Sequence, residues 1–202
     1  MVIVFARSPL AGQVKTRLVP RLGAERAARL HLQLISTAVR TAQHARCGPV
    51  ELHATQFHSS LVMGVPVRLQ HGRDLGERMH HALRGALRRH RRAILVGSDC
   101  PSLTPTDLRR AARWLQGGAD VVLAPAEDGG YALIGARRIA PQVFAGVPWG
   151  SAEVLAQTEA NLRRARLDFR LLRTVWDVDR PADLERLRSR RFSSAARRGA
   201  RR

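Results

Sequence analysis

One lysine, Lys15, stands among 34 arginines in a chain of 202 residues. It lies in the stretch Arg7-Ser8-Pro9-Leu10-Ala11-Gly12-Gln13-Val14-Lys15-Thr16-Arg17-Leu18, directly after the apolar run Val2-Ile3-Val4-Phe5-Ala6. An ammonium is a compact charge on a flexible stem, whereas a guanidinium is a rigid planar fork. A sequence that uses lysine once, in a loop after its first strand, suggests a position that needs a compact, mobile ammonium, although chance could also leave one lysine behind. The chemistry such a loop suits is phosphate handling. Backbone N–H groups around Gly12 can approach an anion closely, and Lys15 and Arg17 can neutralise negative charge that builds up during group transfer. A surface turn with solvated cations would use the same residues. The stretch is not a P-loop, because Val14 rather than glycine precedes Lys15.

A second candidate is Asp99. The run Ala93-Ile94-Leu95-Val96 reads as a buried strand and breaks into Gly97-Ser98-Asp99-Cys100-Pro101. A carboxylate at the carboxyl end of a central strand can hold a divalent cation that bridges to phosphate. It could instead cap the next helix, but Thr104 before Pro105 is the better cap for a helix over 105–116. Asp177 and Asp179 point to one side if their segment is extended, and either could supply a second carboxylate or a cap. Asp128-Gly129-Gly130-Tyr131 reads as a tight hairpin turn or as a floor under a flat or sugar-like ligand. Phe144 and Trp149 either line an acceptor pocket or pack in the core. Cys100 has no evident His partner and reads as a packed small residue. The eight His show no metalloprotease-type pairing and are assigned no metal.

The elements that must position these residues follow from periodicity. Ala27, Leu30, Leu34, Ala38 and Ala42 share one face of a helix from Gly23 to about Ala45. Val50 to Gln56 and Val65 to Gln70 read as strands, with a loop from Phe57 to Gly64 between them. Asp74 is a plausible N-cap for a helix running to about His90. Strands are expected at Asp120 to Pro125, after Gly130, and from Leu167 to Val175. A helix is expected over 151–165, and another is started by Pro181. Alternating strands and helices predict an α/β chain with ligands at the carboxyl ends of its strands.

The length suits one domain with a substantial core, at 45% hydrophobic residues. No run approaches the ~20 apolar residues of a membrane span, and no signal peptide is visible, so the expected location is the cytoplasm. The two cysteines, Cys47 and Cys100, read as reduced. The formal charge of +19 raises nucleic-acid binding as an alternative. Residues 186–202 carry eight Arg and no acid, and without them 27 basic residues face 16 acidic ones, or +11. With 4% aromatic residues and no nucleic-acid motif, a nucleic-acid partner is not the favoured reading.

Taken together, Pro9-x-x-Gly12-x-Val14-Lys15-Thr16-Arg17-Leu18, Gly72-x-Asp74-Leu75-Gly76-Glu77-Arg78-Met79, Gly97-Ser98-Asp99-Cys100-Pro101, Asp128-Gly129-Gly130-Tyr131, Trp149-Gly150 and Asp177-Val178-Asp179 resemble the successive motifs of one family. This is the bacterial radical SAM/selenodomain-associated transferases, whose members are also called arsenosugar-biosynthesis glycosyltransferases. The resemblance spans nearly all of residues 2 to 188. It implies a GT-A-like nucleotide-diphospho-sugar transferase fold, a three-layer α/β/α Rossmann-like sandwich with a mostly parallel central sheet, over residues 1–188. A basic, disordered tail is expected over 189–202. The implied catalytic residues are Lys15, Arg17 and Asp99. The implied nucleotide site adds Ala6, Pro9, Gly12, Gly72, Asp74, Gly76 and Arg78 to Lys15 and Arg17. The acceptor or sugar site would comprise Asp128, Gly129, Gly130, Tyr131 and Trp149, and Asp99, Asp177 and Asp179 would hold Mg2+ or Mn2+. The implied activity is transfer of a glycosyl group from a nucleotide-diphospho-sugar to a small acceptor. Nucleotidyl transfer with release of pyrophosphate, as in the related guanylyltransferases, is the alternative, and a non-catalytic nucleic-acid binder is a third. The sequence departs from the family pattern in having one Asp where glycosyltransferases use Asp-x-Asp, and Arg7 where Lys is expected.

Overall fold

The structure is a computed structural model, and it describes residues 1–189. The basic tail expected over 189–202 lies, from residue 190 onward, outside the described residues. Seven strands form one sheet in the order β3-β2-β1-β4-β6-β5-β7. β1 (Val2–Ala6), β2 (Val50–Ala54), β3 (Val67–Leu69) and β4 (Ala93–Gly97) run parallel. β6 (Tyr131–Ala136) is antiparallel to both β4 and β5 (Val121–Pro125), and β7 (Phe169–Leu171) is parallel to β5. The sheet is therefore mostly parallel with one reversed strand. The reversal arises because β5 and β6 are joined by a tight turn, closed by the Ala126 N–H donating to the Gly130 carbonyl at 2.9 Å.

β1 is buried at every position, as a central strand between two parallel neighbours must be. Its alternate residues feed two different cores. Val2 and Val4 pack with Ile35 and Val39 of α2 (Ala24–Ala45) and Leu108 and Leu115 of α4 (Pro105–Gln116). Ile3 and Phe5 pack with Met79 and Leu83 of α3 (Leu75–Leu87) and Leu162 of α5 (Val154–Arg164). Successive side chains of a strand point to opposite faces, so these helices cover both faces of the sheet. No helix among the described residues is long and apolar enough to cross a membrane.

The helix starts are fixed by the residues expected to fix them. Thr104 and Asp107 form a reciprocal capping box at α4, and Asp74 accepts the Glu77 N–H at the start of α3. Elsewhere the boundaries shift. α5 starts three residues later than the expected 151, and Pro20 starts a single helical turn, α1 (Val19–Leu22), that periodicity does not reveal. The expected strand from Leu167 to Val175 shrinks to Phe169–Leu171 plus one bridge between Ala126 and Val175. Bonds from the Leu172 N–H to the Leu123 carbonyl and from the Val175 N–H to the Pro125 carbonyl, both 2.8 Å, continue past β7, while the Arg173 guanidinium binds Asp107 and the Ser102 carbonyl, at 2.7 Å each from Nη2. The chain then crosses the carboxyl ends of the strands and enters a final helix, residues 181–189.

Candidate active site

The loops after β1 and β4 meet at the carboxyl ends of the parallel strands. Ser8 fastens the first loop to the end of β2: its N–H donates to Thr55 Oγ1 at 3.0 Å, and its Oγ accepts the Gln56 N–H at 3.0 Å. Lys15 itself adopts a left-handed backbone conformation, φ 49°. A non-glycine residue there is uncommon, and such conformations cluster where a side chain must be aimed. The side chain goes inward, 3% exposed, and its ammonium sits 2.9 Å from Asp99 Oδ2. Burial on this scale accounts for the lone lysine in shape terms, because a guanidinium fork needs more room and more partners.

Asp99 is thus held from one side, while 42% of its side chain stays open to the cleft. Its other oxygen, Oδ1, lies 3.3 Å from the Ser98 hydroxyl and 3.4 Å from Nδ1 of His31 on α2. Enclosure in the cleft opposes ionisation of Asp99, but the bond from His31 and the charge of Lys15 outweigh it and hold the carboxyl well below its ordinary range. Asp99 is therefore an anion at neutral pH. Its backbone carbonyl accepts the Val178 N–H at 2.9 Å, and the Ser102 hydroxyl donates to the Trp176 carbonyl while accepting the Trp176 N–H, both at 2.9 Å. These bonds lay the segment 176–178 alongside the β4 loop.

That segment brings Asp177 into the same electrostatic neighbourhood. Burial raises the Asp177 carboxyl, and the negative charge of Asp128 raises it further, against the pull of Lys15. Cys100 lies among these acids. Burial and the charges of Asp177, Asp99 and Asp128 push its thiol well up, which makes it a poor nucleophile. Asp179 is placed differently, ion-paired with Arg17, whose side chain is 65% exposed. Among the described residues no three His, Cys, Asp or Glu side chains form a metal cluster. Asp99, Asp177 and Asp179 are therefore not assembled as a ready-made triad.

A cleft of about 420 Å³ opens beside Asp99 and is lined by Ala6, Thr55, Gln70, Arg78, Asp99 and Tyr131 among others. A larger cavity, about 630 Å³, lies between β3 and α3 and shares Gln70 and Arg78 as a wall. There Arg68 and Arg89 are already paired with buried Glu51, whereas Asp99, with Lys15 behind it, opens on the smaller cleft. Of the Gly72-to-Arg78 motif, Leu75 and Arg78 line the cleft, and Gly72, Asp74 and Gly76 serve the start and packing of α3. Asp74 caps α3, and Arg78 Nε donates to the Gly72 carbonyl at 3.0 Å. A Cβ on Gly76 would lie 2.8 Å from Trp149 Cζ2 and from Phe144 Cβ, so this glycine lets α3 pack on the two rings. Gly129, φ +87°, brings the backbone against Ala152. Its neighbour Gly130 donates its N–H to Asp128 Oδ1 at 2.9 Å.

Tyr131 lines the cleft with its ring, which meets Trp149 edge-on. Its hydroxyl is buried beside Thr158 rather than offered to a ligand. Sequence reasoning overlooked His31, Thr55 and Gln70 as cleft residues. Gln70 Nε2 ties the ends of β1 and β2 together through the Ala6 and His53 carbonyls, at 2.9 and 3.0 Å. The available signal for His31 was a polar ring on the otherwise apolar face of α2.

A family model described as an uncharacterized protein conserved in bacteria, DUF2064, matches residues 28–151. No curated protein matches the sequence. Among solved structures, a candidate nucleotide-diphospho-sugar transferase from Desulfovibrio desulfuricans G20 is 33% identical, with a TM-score of 0.81, over 89% of this chain and 81% of that one. CMP:2-keto-3-deoxy-manno-octonic acid synthetase complexed with CTP superposes at a TM-score of 0.64 and 12% identity, covering 96% of this chain and 98% of that one. A nucleotidyl transferase from Methanothermobacter thermautotrophicus superposes at 0.63 and 15% identity, covering 96% and 99%. At these last two identities the likeness is one of fold.

Proposed function

Since this chain belongs to the DUF2064 family, and its fold is shared with a candidate nucleotide-diphospho-sugar transferase, we propose that it transfers a glycosyl group from a nucleotide-diphospho-sugar to a small acceptor. The observation that carries this reading is the buried Lys15 ammonium, paired with an ionised Asp99 that stays open to a cleft at the strands' carboxyl ends. In a sugar transfer the bond from the anomeric carbon to the β-phosphate breaks, and negative charge gathers on the departing diphosphate. Lys15 meets that charge from a fixed position, and donors already in place stabilise it without reorganising at the moment of reaction. Arg17, largely exposed, can leave Asp179 for a phosphate at little cost. The nucleoside would lie along Ala6, Thr55 and Gln70, and the acceptor on the side of Asp128 and Tyr131.

A divalent cation fits the donor set, because Asp99 Oδ1 is free of Lys15 and the side chain stays open to the cleft. Asp99 would hold it, with Asp177 close enough to add its charge. Such an ion neutralises phosphate charge when bound.

Nucleotidyl transfer is the second reading. It is favoured by the same lysine, whose fixed ammonium equally suits departing pyrophosphate. The test is a thermal-shift panel of nucleoside triphosphates, diphosphates and nucleotide-diphospho-sugars with Mg2+, Mn2+ or Co2+, followed by product analysis. A cation-dependent rise in Tm with one nucleotide sugar, lost in Asp99→Asn, and release of a nucleoside diphosphate are expected. Pyrophosphate release would shift the assignment to nucleotidyl transfer. A flat panel would refute both.

A further inference from the structure

The cavity of about 630 Å³ between β3 and α3 is larger than the cleft beside Asp99, and the proposed transfer makes no use of it. On its helix side it is lined by Ala82, Gly85 and Ala86. Gly85 lies inside α3, where a glycine weakens the helix relative to alanine. Neither crowding nor backbone conformation requires it. A Cβ on Gly85 would meet no atom within 4 Å, and the residue is not among the glycines of positive φ. What the glycine provides is open space.

The charge around that space is unbalanced. Arg68, Arg78, Arg89, His53, His71 and His81 line the cavity, and no acid does. Among the described residues the one carboxylate bonded to these arginines is buried Glu51, which accepts from Arg68 Nε at 3.0 Å and from Arg89 Nη1 at 3.1 Å. Three guanidinium charges therefore face a single carboxylate, an excess of two. Arg78 gives its Nε to the Gly72 carbonyl at 3.0 Å, so Arg68 and Arg78 are both pinned at Nε. Among the described residues their terminal nitrogens have no partner. A guanidinium held in this way offers its two terminal nitrogens as a fork, which matches two oxygens of one phosphate. We propose that this cavity is a second ligand site, distinct from the cleft beside Asp99, and that it takes a phosphate monoester, with the dianion on the arginine forks and the organic part against Ala82, Gly85 and Ala86. A dianion cancels the excess of two charges, whereas a carboxylate cancels half of it.

The experiment is calorimetric titration of phenyl phosphate, inorganic phosphate and benzoate at fixed ionic strength and mildly alkaline pH, where the phosphates are dianions. The proteins are the full chain and its Arg68→Gln, Gly85→Leu and Lys15→Met variants. Wild type should bind phenyl phosphate at least about fivefold more tightly than either other anion, because only phenyl phosphate brings both the second charge and an apolar body. Arg68→Gln and Gly85→Leu should each weaken it by at least about fivefold, one by removing a fork and the other by filling the space. Lys15→Met alters the other cleft and should leave it within about twofold. No binding to wild type overturns the proposal. Equal affinity for the three anions does so too, since a chain of net charge +19 attracts any anion. Loss in Lys15→Met with retention in Arg68→Gln would place the phosphate beside Asp99 instead. Should Arg68→Gln fail to fold, Gly85→Leu decides, and unchanged affinity there refutes the site. Gly85→Ala should unfold at a higher temperature than wild type; a lower one would mean that the glycine serves α3 itself, and the case for a space kept open would fall.

Discussion

Replacing Asp99 with Asn is expected to cost more folding stability than replacing Lys15 with Met, although the two residues form one ion pair 2.9 Å long. The asymmetry comes from burial, with 3% of the Lys15 side chain exposed against 42% for Asp99. Asp99→Asn strands an ammonium inside the protein, and breaking a buried pair in this way costs about 3–5 kcal/mol. Asp177 lies within electrostatic reach of Lys15 and takes up part of the loss, which brings the cost to about 2–3 kcal/mol. Lys15→Met leaves a carboxylate that is already partly in water and removes the cost of burying a charge. Its unbranched stem keeps the packing, so its effect is about 0–1 kcal/mol. At about 2–4 °C per kcal/mol for a protein of this size, Asp99→Asn should lower Tm by roughly 4–12 °C and Lys15→Met by less than about 4 °C. The double variant should resemble Lys15→Met alone, with a coupling energy of about 2 kcal/mol. Thermal and urea unfolding at neutral pH, without nucleotide or metal, measures all four proteins. If Lys15→Met is the more damaging change, Lys15 contributes through its methylenes and the argument from buried charge is wrong.

Two further outcomes follow from other parts of the fold. Burial raises the Glu51 carboxyl, but bonds from Arg89, His53 and Arg68 outweigh it and bring the pKa from 4.5 down to about 2. Its stabilisation is therefore present above about pH 4.5 and disappears as pH falls towards 2. With Arg68 and Arg89 about half exposed, the loss should be about 1–2 kcal/mol. Urea unfolding at pH 5 and pH 3 should show that loss in wild type and a smaller one in Glu51→Gln; equal losses would clear Glu51 of the effect. Gly76→Ala should cost about 1–3 kcal/mol by forcing α3 off Trp149 and Phe144, and should shift tryptophan fluorescence. An unchanged spectrum with wild-type stability would mean that the contact is not tight in solution.

The parts of the fold legible in the sequence are those with a strong period and a chemical boundary. β1, β4 and β5 are apolar runs broken by Gly, Pro or Ser, and α2 and α4 carry an apolar stripe with a definite start. Strand direction was less accessible, because the reversal of β6 depends on how the turn at Gly129 closes. The end of β7 was misjudged because the run to Val175 reads as continuous, whereas beyond Leu171 it keeps single backbone bonds to Leu123 and Pro125 in place of a regular ladder. At the candidate site, Lys15 drew notice by its rarity and Asp99 by its place after a strand. Their meeting depends on β1 and β4 being neighbours, which the sheet order supplies. His31 was passed over because one histidine on an apolar helix face ordinarily belongs to the core, and its two partners come from distant loops. Tyr131 was read as part of a hairpin turn or of a floor under a sugar-like ligand, and only the fold could reveal that its hydroxyl faces inward.

The strap at 176–178 also has a temporal meaning. The ribosome releases β1, Lys15 and Asp99 well before Val178, so the growing chain can pair its central strands while the β4 loop still lacks the neighbour that holds it. Docking of 176–178 on the β4 loop then follows the pairing of β1 with β4. A nascent chain halted before residue 176 should protect β1 and β4 from hydrogen exchange while leaving the Asp99 loop open.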